Sequence, residues 1–243
     1  MKNYKKNLEL LTKNFVYSKE MEHDACGVGL IASTEGKKSR AIVEHGIEAL
    51  KAVWHRGAVD ADGKTGDGAG IHVEIPKDFF IEKIQVTGHD YDSSEICVGM
   101  IFLPRNDYSA QENCKTIVES ELTKNNFSIY GWRQVPVNPK VLGEKALQTM
   151  PEIIQVLFKS NDPNLLDKNL ERKIYETRKR IENKAFDASL NNFYICSISS
   201  KSIIYKGLYL AETISEFFLG TCCEPLVPNV NESKKSVMAK SPC

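Results

Sequence analysis

Apolar residues recur along this chain in two rhythms, and the change from one to the other marks out its elements. The short run Gly27-Val28-Gly29-Leu30-Ile31-Ala32 predicts a buried strand that starts at Cys26. Ile42, Val43, Ile47, Leu50 and Trp54 then recur at three- and four-residue spacing, which predicts an amphipathic helix over 38–54. Residues 55–70 carry Gly57, Gly63, Gly66, Gly68 and Gly70, too many for the interior of an element, so this stretch reads as a loop that brings backbone close to something. Alternation returns at Ile71, Val73 and Ile75 as a half-exposed strand halted by Pro76.

Ile96 to Leu103 reads as another buried strand. Residues 111–124 read as a helix with Cys114, Ile117, Val118 and Leu122 inward, and Phe127 to Val137 as strand. A strongly charged helix is expected over 170–186. Phe193 to Cys196 and Ile203 to Tyr205 read as a hairpin around Ser199-Ser200-Lys201, with a short helix at 209–218. The pattern alternates sheet and helix. Past Gly220 the periodicity stops, and a stretch with three prolines and many Ser, Lys and Asn residues predicts a disordered tail over 219–243.

Composition narrows what such a fold could do. The chain has 243 residues, is 42% hydrophobic and can bury a sizeable core. Its 32 Lys+Arg balance 32 Asp+Glu, so no global field favours nucleic acid or an anionic membrane, and neither is expected as a partner. Seven cysteines, with no secretory signal and no 18-residue apolar run, suggest a reduced, cytoplasmic protein. All five histidines lie at or before position 89, far from the adjacent Cys222 and Cys223, so no metal site is expected. Residues 1–25 are polar and lysine-rich but also acidic. They read as a leader rather than a targeting address.

Candidate chemistry starts at Cys26. A cysteine opening an apolar strand is by itself most simply a small buried hydrophobe. Arg56, at the end of the predicted helix, reads alone as a solvated cation at the negative pole of the dipole. Asp67 could bond local backbone as a turn residue or line a pocket, and His23 and His55 are most simply structural. Gly66-Asp67-Gly68-Ala69-Gly70 is not a dinucleotide fingerprint, because a helix precedes it and a strand follows. Gly63-Lys64-Thr65 likewise lacks the upstream glycine of a phosphate-binding loop.

Three blocks change the weighting of Cys26: Glu22-His23-Asp24-Ala25-Cys26-Gly27-Val28-Gly29, His55-Arg56-Gly57-Ala58, and Thr65-Gly66-Asp67-Gly68-Ala69-Gly70-Ile71. In this order and at these separations they resemble the glutaminase domain of the large subunit of glutamate synthase, a class-II (N-terminal nucleophile) glutamine amidotransferase. The resemblance continues through Gly131-Trp132-Arg133-Gln134-Val135-Pro136-Val137 and on to Glu216-Phe217-Phe218. It implies an α+β fold, the αββα sandwich of N-terminal nucleophile hydrolases. It also implies a propeptide over 1–25, removed by cleavage of the Ala25–Cys26 bond, and an amidotransferase domain whose first part is 26–218.

Cys26 would then supply both thiol and base. An α-amine with a pKa of about 7.7–8.0 is partly free near neutrality, where a lysine is not. The resemblance gives Arg56 an active-site role and Gly57 a close backbone approach, while Asp67 stays open between a turn residue and one that lines the substrate pocket. It implies L-glutamine as substrate, and as partners the remaining glutamate synthase domains and a small reductase subunit. No cofactor is expected in this segment; FMN and an iron–sulfur cluster are implied for other regions of the full-length enzyme. Leu219 to Cys243 contain no His-Asn-Gly motif, which in the family completes the oxyanion hole. Losing one such donor costs about 10²–10³ in rate, so the expectation is an incomplete sandwich with little turnover of its own. Its alternatives are a truncated product that keeps only the fold or a partner-binding surface, and an unrelated α/β protein with a core cysteine.

Overall fold

The structure, a computed structural model, describes residues 2–14, 27–36, 39–54, 57–86, 96–219 and 236–240, the last five as backbone only. Two four-stranded antiparallel sheets form its centre. In sheet I, β1 (Val28–Ala32), β8 (Ser236–Lys240), β2 (Ala69–Glu74) and β7 (Ser202–Gly207) lie side by side in that order. In sheet II the order is β4 (Phe127–Gln134), β5 (Glu152–Ser160), β3 (Cys97–Leu103) and β6 (Tyr194–Ser199).

The period-two alternation of strands assigns each residue of sheet II to one of two cores. Val98 and Met100 of β3, with Ile153 and Leu157 of β5, face Ile71, Val73, Ile203 and Tyr205 of sheet I. Cys97, Ile101 and Leu103, with Ile154, Val156 and Phe158, point the other way. There they meet α4 (Tyr108–Lys124) through Cys114, Val118 and Leu122, and α6 (Asp167–Asp187) through Leu170, Ile174 and Ile181. A sheet covered on both faces needs near-continuous apolar strands, which is what β3 and β5 are. On sheet I, α2 (Arg40–Ala52) packs against β1, β8 and β2 and buries Val43, Ile47 and Leu50. The layers run helix, sheet, sheet, helix, the expected αββα order.

Local chemistry sets the helix starts. Ser39 caps α2 by accepting from the Ala41 N–H at 3.2 Å, and Asp107 caps α4 by accepting from the Ala110 N–H at 2.9 Å. The N-terminal segment folds as α1 (Lys2–Lys13), with Leu10 and Leu11 exposed. Two further helices, α3 (Lys77–Val86) and α5 (Glu144–Gln148), lie where the pattern assigns none, as does the central strand β5. A short 3-10 turn and α7 (Ile214–Phe217) follow β7.

Five sequence expectations are corrected. β1 is not buried: Val28 and Leu30 are 57% and 60% exposed, because β1 is the outer strand of sheet I and lies beyond the inter-sheet core, which draws on β2 and β7. β2 is not half-exposed, since sheet II covers one face and α2 approaches the other. Trp54 lies past the end of α2 and is 66% exposed, so it does not extend the buried stripe. β6 and β7 do not pair as a hairpin; β6 pairs with β3 and β7 with β2, so the turn between them carries the chain from one sheet to the other.

Glu171 of α6 holds that crossing, accepting from Ser199 Oγ at 2.9 Å, the Ser200 N–H at 2.8 Å and Ser200 Oγ at 2.6 Å. Finally, residues 236–240 of the expected disordered tail form β8. Main-chain pairing to β1 and β2 satisfies its backbone groups whatever its side-chain rhythm.

Candidate active site

The glycine-rich segment after α2 is a small hairpin. Val59 bridges Gly66, the Asp60 N–H donates to Thr65 O at 2.9 Å, and the Asp67 N–H donates to Ala58 O at 3.2 Å. At its open end the Gly57 N–H donates to Trp54 O at 3.0 Å, just past the end of α2. Gly57 and Asp67 are thereby brought together: a Cβ on Gly57 would lie 3.1 Å from Asp67 Oδ1. Gly57 thus lies against the Asp67 carboxylate. On its other side the hairpin is pressed against the segment after β7, where a Cβ on Gly66 would fall 2.7 Å from Tyr209 O.

At the tip, Asp62 accepts from the Lys64 N–H at 2.9 Å, the Thr65 N–H at 2.7 Å and Thr65 Oγ1 at 2.6 Å. These donors, the Thr65 hydroxyl first, hold its carboxyl well below the usual carboxylate range. Asp60 reaches Lys145 of α5 at 2.6 Å, which lowers the carboxyl and raises the ammonium.

Asp67 and Gly68 form part of the wall of a cleft of about 890 Å³. Arg105 and Asp107 line it from the end of β3, Tyr194 from the start of β6, and Lys206 from the end of β7. Lys206 Nζ donates to Tyr194 Oη at 2.7 Å, tying sheet I to sheet II at the cleft mouth. Clefts of this size with a few convergent polar groups are the usual seats of small ligands.

Cys26 and Arg56, with His23 and His55, lie outside the described residues. The structure does place Gly27 directly before β1, and α2 and Gly57 on either side of residues 55–56. Among the described cysteines, Cys97, Cys114 and Cys196 are buried. Burial pushes the Cys114 and Cys196 thiols up to about 11, which makes both poor nucleophiles near neutral pH. Among the described residues no group of three His, Cys, Asp or Glu side chains could hold a metal ion. No described helix is long and apolar enough to cross a membrane.

Asp62 and Gly143 are not among the residues that sequence pattern singles out, and Thr65 enters there only as the first residue of the third block and the last of Gly63-Lys64-Thr65, with no role of its own. An Asp three residues before a Thr is a recognisable turn signature and could have flagged Asp62 and Thr65. Gly143 gives no such signal, because its role depends on a contact with residues far away in sequence.

With an αββα sandwich, a glycine hairpin and a cleft at the sheet ends, the chain has the layered frame of the N-terminal nucleophile hydrolases, and it belongs to the class-II glutamine amidotransferases, whose family model matches residues 26–226. It is 52% identical over 215 residues to the large chain of the NADPH glutamate synthase of Azospirillum brasilense, covering 88% of this chain and 14% of that protein. It is 38% identical over 200 residues to ferredoxin-dependent glutamate synthase 1 of Arabidopsis thaliana, covering 82% of this chain and 12% of that one. Ferredoxin-dependent glutamate synthase 2 of Synechocystis is 37% identical over 199 residues, again 82% of this chain and 12% of the relative. The chain thus spans no more than 14% of the length of these relatives.

Proposed function

We propose that the chain is the N-terminal part of the glutaminase unit of a glutamate synthase, with Cys26 as nucleophile. The observation that carries this reading is the family match, which begins at Cys26. Cleavage of the Ala25–Cys26 bond frees the α-amine of Cys26, which takes the thiol proton. The thiolate attacks the side-chain amide carbon of L-glutamine, the C–N bond breaks, and the nitrogen leaves as ammonia carrying that proton. Water then hydrolyses the γ-glutamyl thioester to glutamate and restores the thiol.

Arg56 and Asp67 border the substrate, and Gly57, lacking a side chain, leaves room for the Asp67 carboxylate. The ammonia passes to 2-oxoglutarate on the remaining synthase domains, which would work with a small reductase subunit in the cytoplasm. FMN and the iron–sulfur cluster of such an enzyme belong to those other regions.

A second reading, a segment that keeps the fold without turnover, is favoured by one observation: the sequence contains no His-Asn-Gly. Intact mass separates the first step, because maturation removes Met1 to Ala25. Treatment with a diazoketone analogue of glutamine then separates the two readings. A single adduct on Cys26, lost in Cys26→Ala, supports the glutaminase. Full retention of Met1 to Ala25 together with no adduct overturns it.

A further inference from the structure

The hairpin that presents Asp67 to Gly57 is fastened at its tip to a helix that cannot cap itself. The N-cap of α5 is Gly143, which has no side chain to offer the first free N–H groups of the helix. Thr65 supplies what is missing: its buried Oγ1 accepts from the Ala146 N–H at 3.3 Å while donating to Asp62 Oδ2 at 2.6 Å. Space at the junction is exhausted, since a Cβ on Gly143 would lie 2.3 Å from both Asp62 Oδ2 and Thr65 Oγ1 and 2.6 Å from the Thr65 N–H. Lys145, one residue before Ala146, adds its ion pair with Asp60 across the same seam.

We infer that Asp62 and Thr65 are positioning residues of the candidate site: they cap α5 from another part of the chain and so fix the hairpin that sets Asp67 against Gly57. This rests on the glutaminase reading for its functional half, and the geometry supports it in three ways. The tip and the site are the two ends of one hairpin, joined by the pairs Asp60–Thr65, Val59–Gly66 and Ala58–Asp67. The far face of the hairpin is already blocked by Tyr209, so the α5 contact is what closes it from the other side. The Asp62 carboxylate is occupied by donors from its own turn and is not offered to a ligand.

Two readouts on the full chain test this, with Thr65→Val and Thr65→Ser beside the wild type. In amide hydrogen exchange, Thr65→Val is expected to speed the Asp60, Gly63 and Asp67 N–H groups about five- to tenfold while the β3 and β5 amides keep their protection, and Thr65→Ser is expected to restore the hairpin. In labelling by the diazoketone analogue, Thr65→Val should raise the half-saturating concentration several-fold with the rate of plain iodoacetamide alkylation unchanged, a split that general destabilisation would not produce. Unaltered hairpin exchange in Thr65→Val, or equal acceleration in β3 and β5, overturns the inference. So does an unaltered half-saturating concentration. A wild type that takes no analogue sinks the glutaminase reading instead and leaves the latch to be decided by the exchange data.

Discussion

Gly99 faces Val156 across the β3–β5 ladder at the centre of sheet II, and the fit between them is tight enough to fix a number. A Cβ on Gly99 would lie 2.7 Å from Val156 Cγ1 and 3.5 Å from Ile198 Cγ1, against 3.4–4 Å for ordinary contact, so Gly99→Ala must push Val156 aside by about 1 Å. Overpacking of this kind costs about 1–3 kcal/mol, and the stiffer unfolded chain returns about 0.4–1 kcal/mol, leaving a net loss of about 1–2 kcal/mol. Val156 is fully buried, so Val156→Ala alone should cost about 2–3 kcal/mol through lost burial and the cavity left behind.

In the double variant the new methyl enters the space that Val156 vacates. The loss should fall short of the sum by about 1–2 kcal/mol and lie close to that of Val156→Ala alone. Urea unfolding followed by the fluorescence of Trp132, which packs on the same core, measures all four corners of the cycle. Strict additivity to within about 0.5 kcal/mol would refute both the β3–β5 register and the packing of Gly99 on Val156.

The thiols and one ion pair supply two more tests. Iodoacetamide at pH 8 should leave Cys114 and Cys196 unmodified in the folded chain, since a thiol at about 11 is ionised in only about one molecule in a thousand. Peptide mass mapping that found either one alkylated before denaturant is added would contradict their burial. Glu121 of α4 is buried and accepts from Lys184 of α6, which lowers its carboxyl below the usual value. Its stabilisation is thus present above the unfolded-state pKa, near 4.5, and is lost as pH falls through the lower folded value. Glu121→Gln should cost about 1–2 kcal/mol at pH 7 and flatten the acid limb of the unfolding midpoint. An unchanged acid limb would show that the pair carries none of it.

Much of this fold is legible in the sequence because burial imposes simple rhythms. The three- and four-residue spacing of Val43, Ile47 and Leu50 identifies α2, and the unbroken apolar run of Ile96 to Leu103 identifies β3. Periodicity fails where a strand's surroundings are set by other parts of the chain. Nothing in Val28-Gly29-Leu30 reveals that its sheet position lies beyond the core, and Ile203-Ile204-Tyr205 reads the same whether it pairs with its neighbour in sequence or with β2. At the site, Gly57 and Asp67 stand out in the sequence, and they do meet. The contact of Thr65 with the start of α5, and the need for Gly143 there, do not stand out, because a cap donated from elsewhere in the chain has no local signature.

The crossing at Ser199–Ser202 has a mechanical consequence. β6 and β7 leave that turn in different sheets and reach the cleft at their other ends, where Tyr194 and Lys206 line its mouth. Each is six residues long, a lever of about 20 Å. If the sheets rock about the Glu171 clasp, a rotation of about 3° moves the mouth by about 1 Å and the packed end hardly at all. The Lys206–Tyr194 hydrogen bond therefore closes the open end of a lever whose other end is held by Glu171.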